Sequence, residues 1–176
     1  MQRIGFVIQE GFQMIGLAAQ AVFEYSNRVA GKGVYEVRVL SEKGGAVRSS
    51  LGIALQAERL SGRAFDTLIV IGTEDASAIT TPGVLNFIRR GLKQSRRVAS
   101  ICTGAFTMGE AGLLEGRRAT THWYYARELQ RRFPEVKVEE VTEKSVEFSP
   151  SPRAPALSKS GASLGLMVIL ISLGYI

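Results

Sequence analysis

Cysteine, histidine and tryptophan each occur once in the 176 residues, as Cys102, His122 and Trp123. One cysteine excludes an intramolecular disulfide, and no Cys/His cluster with zinc-ligand spacing exists. The sequence therefore implies no metal and no disulfide-stapled scaffold. Long apolar runs are also missing. The tail from Ala162 to Ile176 is shorter than the ~20 residues that a helix needs to span a bilayer, and glycines interrupt it. That tail is expected to form a buried closing helix over Ala162 to Leu173. The N-terminal MQRIGFVIQEGFQ turns polar too early for a secretory signal. A cytoplasmic protein without membrane contact or bound cofactor is the expectation.

Positive charge, by contrast, is in excess: 22 Lys and Arg against 16 Asp and Glu give +6, which raises the question of nucleic-acid binding. The basic residues fall at Arg89, Arg90, Lys93, Arg96 and Arg97, at Arg117 and Arg118, and at Arg127, Arg131 and Arg132. These positions read as outer faces and ends of helices with acidic residues among them. No helix-turn-helix, zinc-finger or RNA-binding motif accompanies them, so a solvated surface is expected.

A length of 176 residues with 45% hydrophobic content suits one domain, residues 1–176, with a full core. Arg3 to Gln9 is a short apolar run suited to a strand buried on both faces. Helical spacing follows at Ile15, Leu17, Ala18, Ala21, Val22 and Tyr25, ending near Gly31-Lys32-Gly33. Val34 to Leu40 alternates as a strand does, and Val47 to Glu58 holds a turn at Ser49 to Gly52 and a short strand, a hairpin-like excursion. Asp66 to Gly72, DTLIVIG, is the most strand-like run. Pro82-Gly83 opens a helix with Val84, Leu85, Phe87, Ile88 and Leu92 on its apolar side. A strand then leads into Cys102, a helix spans Gly104 to Ala111, and a helical pattern from Trp123 stops at Pro134. Val136 to Glu140 reads as a strand, and 145–160, with Pro150, Pro152 and Pro155 among serines, as a loop.

Strands alternating with helices predict an α/β fold: a three-layer sandwich with a mostly parallel sheet, helices on both faces and Cys102 on a strand-to-helix elbow. Ligands bind at the carboxyl ends of such strands, where Gly72, Thr73, Thr103 and Gly104 fall, and these four are the expected ligand-binding residues. A nucleophile is commonly displayed on such an elbow. The helix N-terminus behind Cys102 is expected to favour its thiolate and lower its pKa. His122 is the candidate base, and the Thr73 and Thr103 amides are candidate oxyanion donors.

The stretch ASICTGAFTMGEAGLLEGRRATTHW, with GFQMIGLAAQAVFEYSN and VYEVRVLSEKGGAVRSSLG before it, resembles the DJ-1/PfpI superfamily of the class I glutamine amidotransferase-like fold. The resemblance is to the N-terminal sensor domains of AraC-type transcriptional regulators in particular, and isonitrile hydratase shares the signature. The match is specific over Arg97 to Val138 and weakens beyond Glu140. It implies that Cys102 is the elbow cysteine and His122 its neighbouring histidine. It also implies a homodimer, a small-molecule ligand, and DNA contact only through a helix-turn-helix pair, which this sequence lacks.

Catalytic members use a carboxylate just after the first strand, and the alignment puts Gly16 there. Met167 likewise stands where an aspartate is usual in the closing segment. With glycine at 16, the expectation is a non-catalytic sensor or interaction domain. The alternative is a cysteine enzyme, isonitrile hydratase-like or glyoxalase/deglycase-like, in which Glu24 or Glu74 would have to substitute for the missing acid.

Overall fold

The computed structural model describes residues 1–139 and the backbone of residues 168–172. Seven strands form one sheet in the order β3-β4-β2-β1-β5-β6-β9. They are β1 (Gln2–Val7), β2 (Tyr35–Ser41), β3 (Gly45–Arg48), β4 (Ala54–Arg59), β5 (Thr67–Ile71), β6 (Arg97–Ile101) and β9 (Val168–Ser172). Pairings β1·β2, β1·β5, β2·β4 and β5·β6 are parallel. The β3–β4 hairpin and the β6–β9 pair are antiparallel. A separate two-stranded ladder joins β7 (Arg118–Ala119) to β8 (Lys137–Val138), so the strand expected around Val136 lies outside the main sheet.

The inner strands are apolar on both faces because both faces are covered. On one side Ile4, Phe6, Ile69, Ile71, Ala99 and Ile101 cluster with Ala19 and Phe23 of α1 (Ala18–Ala30), which a 3-10 turn at Met14–Leu17 introduces. On the other, Val7, Leu68, Val70 and Val98 cluster with side chains of α2 (Pro82–Gln94), α3 (Gly104–Glu110) and α4 (Ala126–Arg132). This is the expected three-layer sandwich. In α2 the buried Val84, Phe87, Ile88 and Gly91 recur at the spacing of one helical face, and Pro82 stands in the first turn. Gly31 caps α1 at φ 62°, and Asn27 fastens that helix to β2, accepting from the Val34 and Tyr35 amides at 2.8 Å each.

One element differs from expectation. The closing helix placed over Ala162 to Leu173 is, where described, a strand: Val168–Ser172 pairs antiparallel with β6 from Ile101↔Val168 to Arg97↔Ser172. The run VILIS is β-branched at three of five positions, and such residues favour an extended chain once an open sheet edge offers backbone partners. The remainder of that helix, and the loop placed at 145–160, lie outside the described residues.

The basic residues take the expected surface positions. Arg90, Lys93, Arg96, Arg97, Arg117 and Arg127 are exposed. Arg131 and Arg118 pair with Glu128 and Glu139, and Arg89 donates to the Ala111 and Glu110 carbonyls at the end of α3. Glu36, held among Arg38, Arg3 and Arg63, has its carboxyl pulled below the usual carboxylate range, chiefly by the hydrogen bond from Arg38. A lowered folded-state pKa contributes stability that is present above the unfolded value and lost as pH falls through the folded one. Thermal unfolding across the acid range is therefore expected to show a shallower loss of Tm for Glu36→Gln than for the parent chain, and equal slopes would refute the contribution.

Candidate functional site

β1 and β5 lie side by side at the centre of the sheet. The chain leaves β1 toward β2 on one side and leaves β5 toward β6 on the other, so their carboxyl ends form the switch point at which ligands enter open α/β sheets. The segments beyond these strands are Ile8 to Phe12 and Gly72 to Asp75. They are bridged by the Gln13 amide donating to the Gly72 carbonyl at 2.9 Å and the Glu74 amide donating to the Gly11 carbonyl at 3.0 Å.

The elbow stands next to this point. Cys102 follows β6 directly and holds φ at 56°, the one positive φ of a non-glycine residue among the described residues. Such a conformation costs of order 1–3 kcal/mol and persists only when its surroundings over-determine it. Here they do so from three directions. The Cys102 carbonyl accepts from the Thr121 hydroxyl at 3.1 Å and from the Ala105 amide at 3.3 Å. The Thr103 hydroxyl donates to the Thr73 carbonyl at 2.6 Å. Gly72 and Gly104 let β5 and the elbow touch through their backbones. A Cβ on Gly72 would stand 2.1 Å from Thr103 Oγ1 and 2.5 Å from the Gly104 nitrogen, and one on Gly104 would stand 2.5 Å from the Val70 carbonyl oxygen. Both glycines, expected to bind ligand, thus have a demonstrable part in closing the elbow.

The thiol does not have the lowered pKa expected of it. Cys102 is half-buried and belongs to the apolar cluster of Ile71, Ile101, Met14 and Leu17. Desolvation pushes its pKa up, opposed by the Thr103 amide and hydroxyl. The hydroxyl's single proton already lies on the Thr73 carbonyl, so the amide is the donor left to a thiolate. The helix behind the elbow has only seven residues and no side-chain cap. Its field does not offset the loss of water.

The remaining candidates separate. His122 is exposed at the start of a 3-10 turn, Trp123–Tyr125, and its Nδ1 accepts from the Tyr124 amide at 3.3 Å; it makes no hydrogen bond to Cys102. Its neighbour Thr121 touches the elbow instead. Gly16 is buried beside Ile71 of β5, where an added Cβ would lie 2.6 Å from Ile71 Cγ2, so any side chain at this position requires Ile71 to shift. Neither proposed substitute fills the role. Glu24 is exposed on α1 and pairs with Arg28, and Glu74 is exposed on its loop; neither hydrogen-bonds to Cys102.

A cavity of about 430 Å³ opens at the switch point. Thr73 and Thr103 line it, while Cys102, His122, Gly72 and Gly104 do not. Its other walls were not anticipated: Gln9 and Glu10 after β1, Ser41 at the end of β2 and Glu42 after it, and Thr107 of α3. The strand-end rule that selected Gly72 and Thr73 selects these positions too when it is applied to the first two strands. Below the cavity, the Thr107 and Thr80 hydroxyls meet at 3.2 Å, the Thr80 amide donates to Glu110 at 2.9 Å, and Glu110 pairs with Arg132 of α4. Among the described residues no group of three or more His, Cys, Asp or Glu side chains is placed to hold a metal ion, and no helix is long and apolar enough to cross a membrane.

A parallel sheet between helical layers, with a strained cysteine elbow at its carboxyl edge, is the architecture of the DJ-1/PfpI family. The chain belongs to that family, whose model matches residues 2–151. Among its relatives is an uncharacterized protein in the cpoL 5' region of Streptomyces lividans, 39% identical over 136 residues that cover 75% of this chain and 95% of that protein. The HTH-type transcriptional regulator GbdR of Pseudomonas aeruginosa is 31% identical over 138 residues, 77% of this chain but 38% of the regulator. Isonitrile hydratase of Pseudomonas putida is 58% identical over 41 residues, 23% of this chain and 18% of the enzyme. The crystal structure of an AraC family transcriptional regulator from Pseudomonas putida superposes with a TM-score of 0.69 at 21% identity, over 80% of this chain and 77% of that one. The chain thus spans well under half of the GbdR regulator that it matches.

Two outcomes test the elbow. Gly104→Ala forces a methyl against the Val70 carbonyl, and a loss of about 3 kcal/mol in denaturant unfolding is expected; a change near zero would mean that the approach is not required. Alkylation of Cys102 by iodoacetamide is expected to inflect at a higher pH in the native chain than in the urea-unfolded chain, and an inflection at lower pH would show an activated thiolate.

Proposed function

We propose that this chain is a non-catalytic ligand-sensing domain of the kind found in AraC-type transcriptional regulators, acting in the cytoplasm as a homodimer. The similarity to an HTH-type regulator over 77% of the chain supports the association with transcription control. Contact with DNA then belongs to a separate helix-turn-helix region. The observation that carries the non-catalytic reading is Gly16, packed against Ile71 where the resemblance calls for an acid. Without that carboxylate, and with burial raising the thiol pKa, Cys102 has neither an acid partner nor a thiolate bias. In this reading Thr73 and Thr103 contact the ligand, while Gly72 and Gly104 hold the loop that presents them. An apolar stripe on α1 supports self-association: Val22, Tyr25 and Val29 are 62%, 61% and 88% exposed on one side of the helix.

A second reading is favoured by one feature, the strained φ of 56° at Cys102, which is how a nucleophile elbow holds its side chain. Cys102 would then attack a small electrophilic or nitrogenous substrate, with His122 moving the proton and the Thr73 and Thr103 amides facing the developing oxyanion. Assay of the purified chain with an isonitrile and with a 2-oxoaldehyde decides between the two. No turnover above the Cys102→Ser variant is expected. Turnover that Cys102→Ser abolishes would overturn the sensor reading.

A further inference from the structure

One wall of the cavity is held by side chains rather than by the sheet. Ala76, Ala78 and Ile79 line it, and they belong to the irregular connection between β5 and α2. Apart from bonds to Asp75 within the turn, the backbone from Ala76 to Thr80 has two hydrogen-bond partners among the described residues. The Ala76 carbonyl accepts from Arg132 Nη1 at 3.2 Å, and the Thr80 amide donates to Glu110 at 2.9 Å. Hydrophobic burial adds little. Ile79, the largest apolar side chain of the stretch, is 86% exposed, so Ala76 is its one apolar anchor.

The two partners are one ion pair. Glu110 and Arg132 are the last residues of α3 and α4, and their side chains are largely buried against each other. The carboxylate divides its oxygens, Oε1 to Arg132 and Oε2 to the Thr80 amide. The guanidinium divides its nitrogens in the same way, Nη2 to Glu110 and Nη1 to the Ala76 carbonyl. A planar fork serves two acceptors at once, which a lysine ammonium at the same position does not. Arg132 is itself held by the rings of Phe106 and Phe133, whose centres lie 5.9 Å and 5.6 Å from its central carbon. Phe106 lines the cavity, as does Thr107, whose hydroxyl meets that of Thr80. Loss of either charge therefore releases both ties of the wall and leaves a partly buried charge without its partner.

We infer that Ala76 to Thr80 is a strap along one side of the cavity, and that the Glu110–Arg132 pair is the latch that holds it closed. Opening the latch withdraws Ala76, Ala78 and Ile79 from the wall and breaks no bond of the sheet. Segments tied in this way open locally at a lower free energy than the domain unfolds. Arg132 is thus a positioning residue for a cavity that it does not line. The inference rests on the ligand-sensing reading, in which a small molecule occupies this cavity, and it deepens that reading by naming the part of the wall that yields to the occupant. It also places the control of that wall on α4, at the far end of the helix from Thr121 and the elbow.

Amide hydrogen exchange of the full chain, read by mass spectrometry in urea below the unfolding transition, tests this. In the parent chain, exchange over 76–81 is expected to be insensitive to urea while β1 and β5 accelerate, which is the signature of local opening. Arg132→Lys and Glu110→Ala are each expected to speed exchange over 76–81 by ~10-fold, the effect of one lost hydrogen bond, with β1 and β5 unchanged. The double variant is expected to be no faster there than Glu110→Ala alone, because both changes open one latch. Arg131→Lys, which alters an exposed pair with Glu128 on the same helix, is expected to leave the strap as it is. Exchange over 76–81 that follows β5 through the urea series overturns the inference. So do single variants that leave the strap unchanged or accelerate every segment alike. If neither variant folds, the urea series on the parent chain still decides. Cysteine-dependent turnover would overturn the sensing reading instead, and leaves local opening over 76–81 standing as a property of this fold.

Discussion

Backbone contact between the end of β5 and the start of α3 is the constraint on which the rest of the site depends. Gly72 and Gly104 bring two chain segments together at distances that no side chain tolerates. The gain is a parallel pair whose carboxyl ends stay in register up to the turn, Ile71 against Ile101, so that the residues two positions on, Thr73 and Thr103, lock by a 2.6 Å hydrogen bond. The positive φ of Cys102 follows from this closure, because the chain must reverse within one residue to start α3 without parting from β5. The elbow geometry is thus first a solution to a packing problem. Chemistry is an option that the same geometry leaves open, and Gly16 removes part of it.

The architecture was legible because it rests on patterns that survive in a single sequence. Continuous apolar runs such as TLIVI announced strands covered on both faces, and VLNFIRRGL announced the face of α2. The elbow was legible because a short strand, a lone cysteine and a glycine-led helix followed one another. The edge strand Val168–Ser172 was not, since a short apolar segment has no periodicity that separates helix from strand. What decided it was the unpaired edge of β6, contributed by residues some seventy positions earlier.

The site was only half legible for a similar reason. Glycine at position 16 was visible, but that Ile71 occupies the space a carboxylate would need is a tertiary fact. Sequence reasoning assigned the cysteine a lowered pKa from the helix behind it. The structure reverses the sign because Cys102 packs against an apolar cluster that includes Ile71 and Ile101, and burial disfavours the thiolate. Glu10 and Glu42 escaped notice because neither belongs to a motif. They are brought to one cavity by the pairing of β1 with β2, which only the folded sheet shows.

The 2.6 Å bond between Thr103 and Thr73 has a mechanical meaning as well. Thr103 and Thr73 line the cavity, the adjoining Cys102 packs against the apolar cluster that includes Ile71 and Ile101, and Thr121 ties the same turn to the segment that leads into α4. The turn is held at the two glycines, where the backbones meet. One turn is thereby a strut shared by the cavity wall, the apolar cluster and the root of α4.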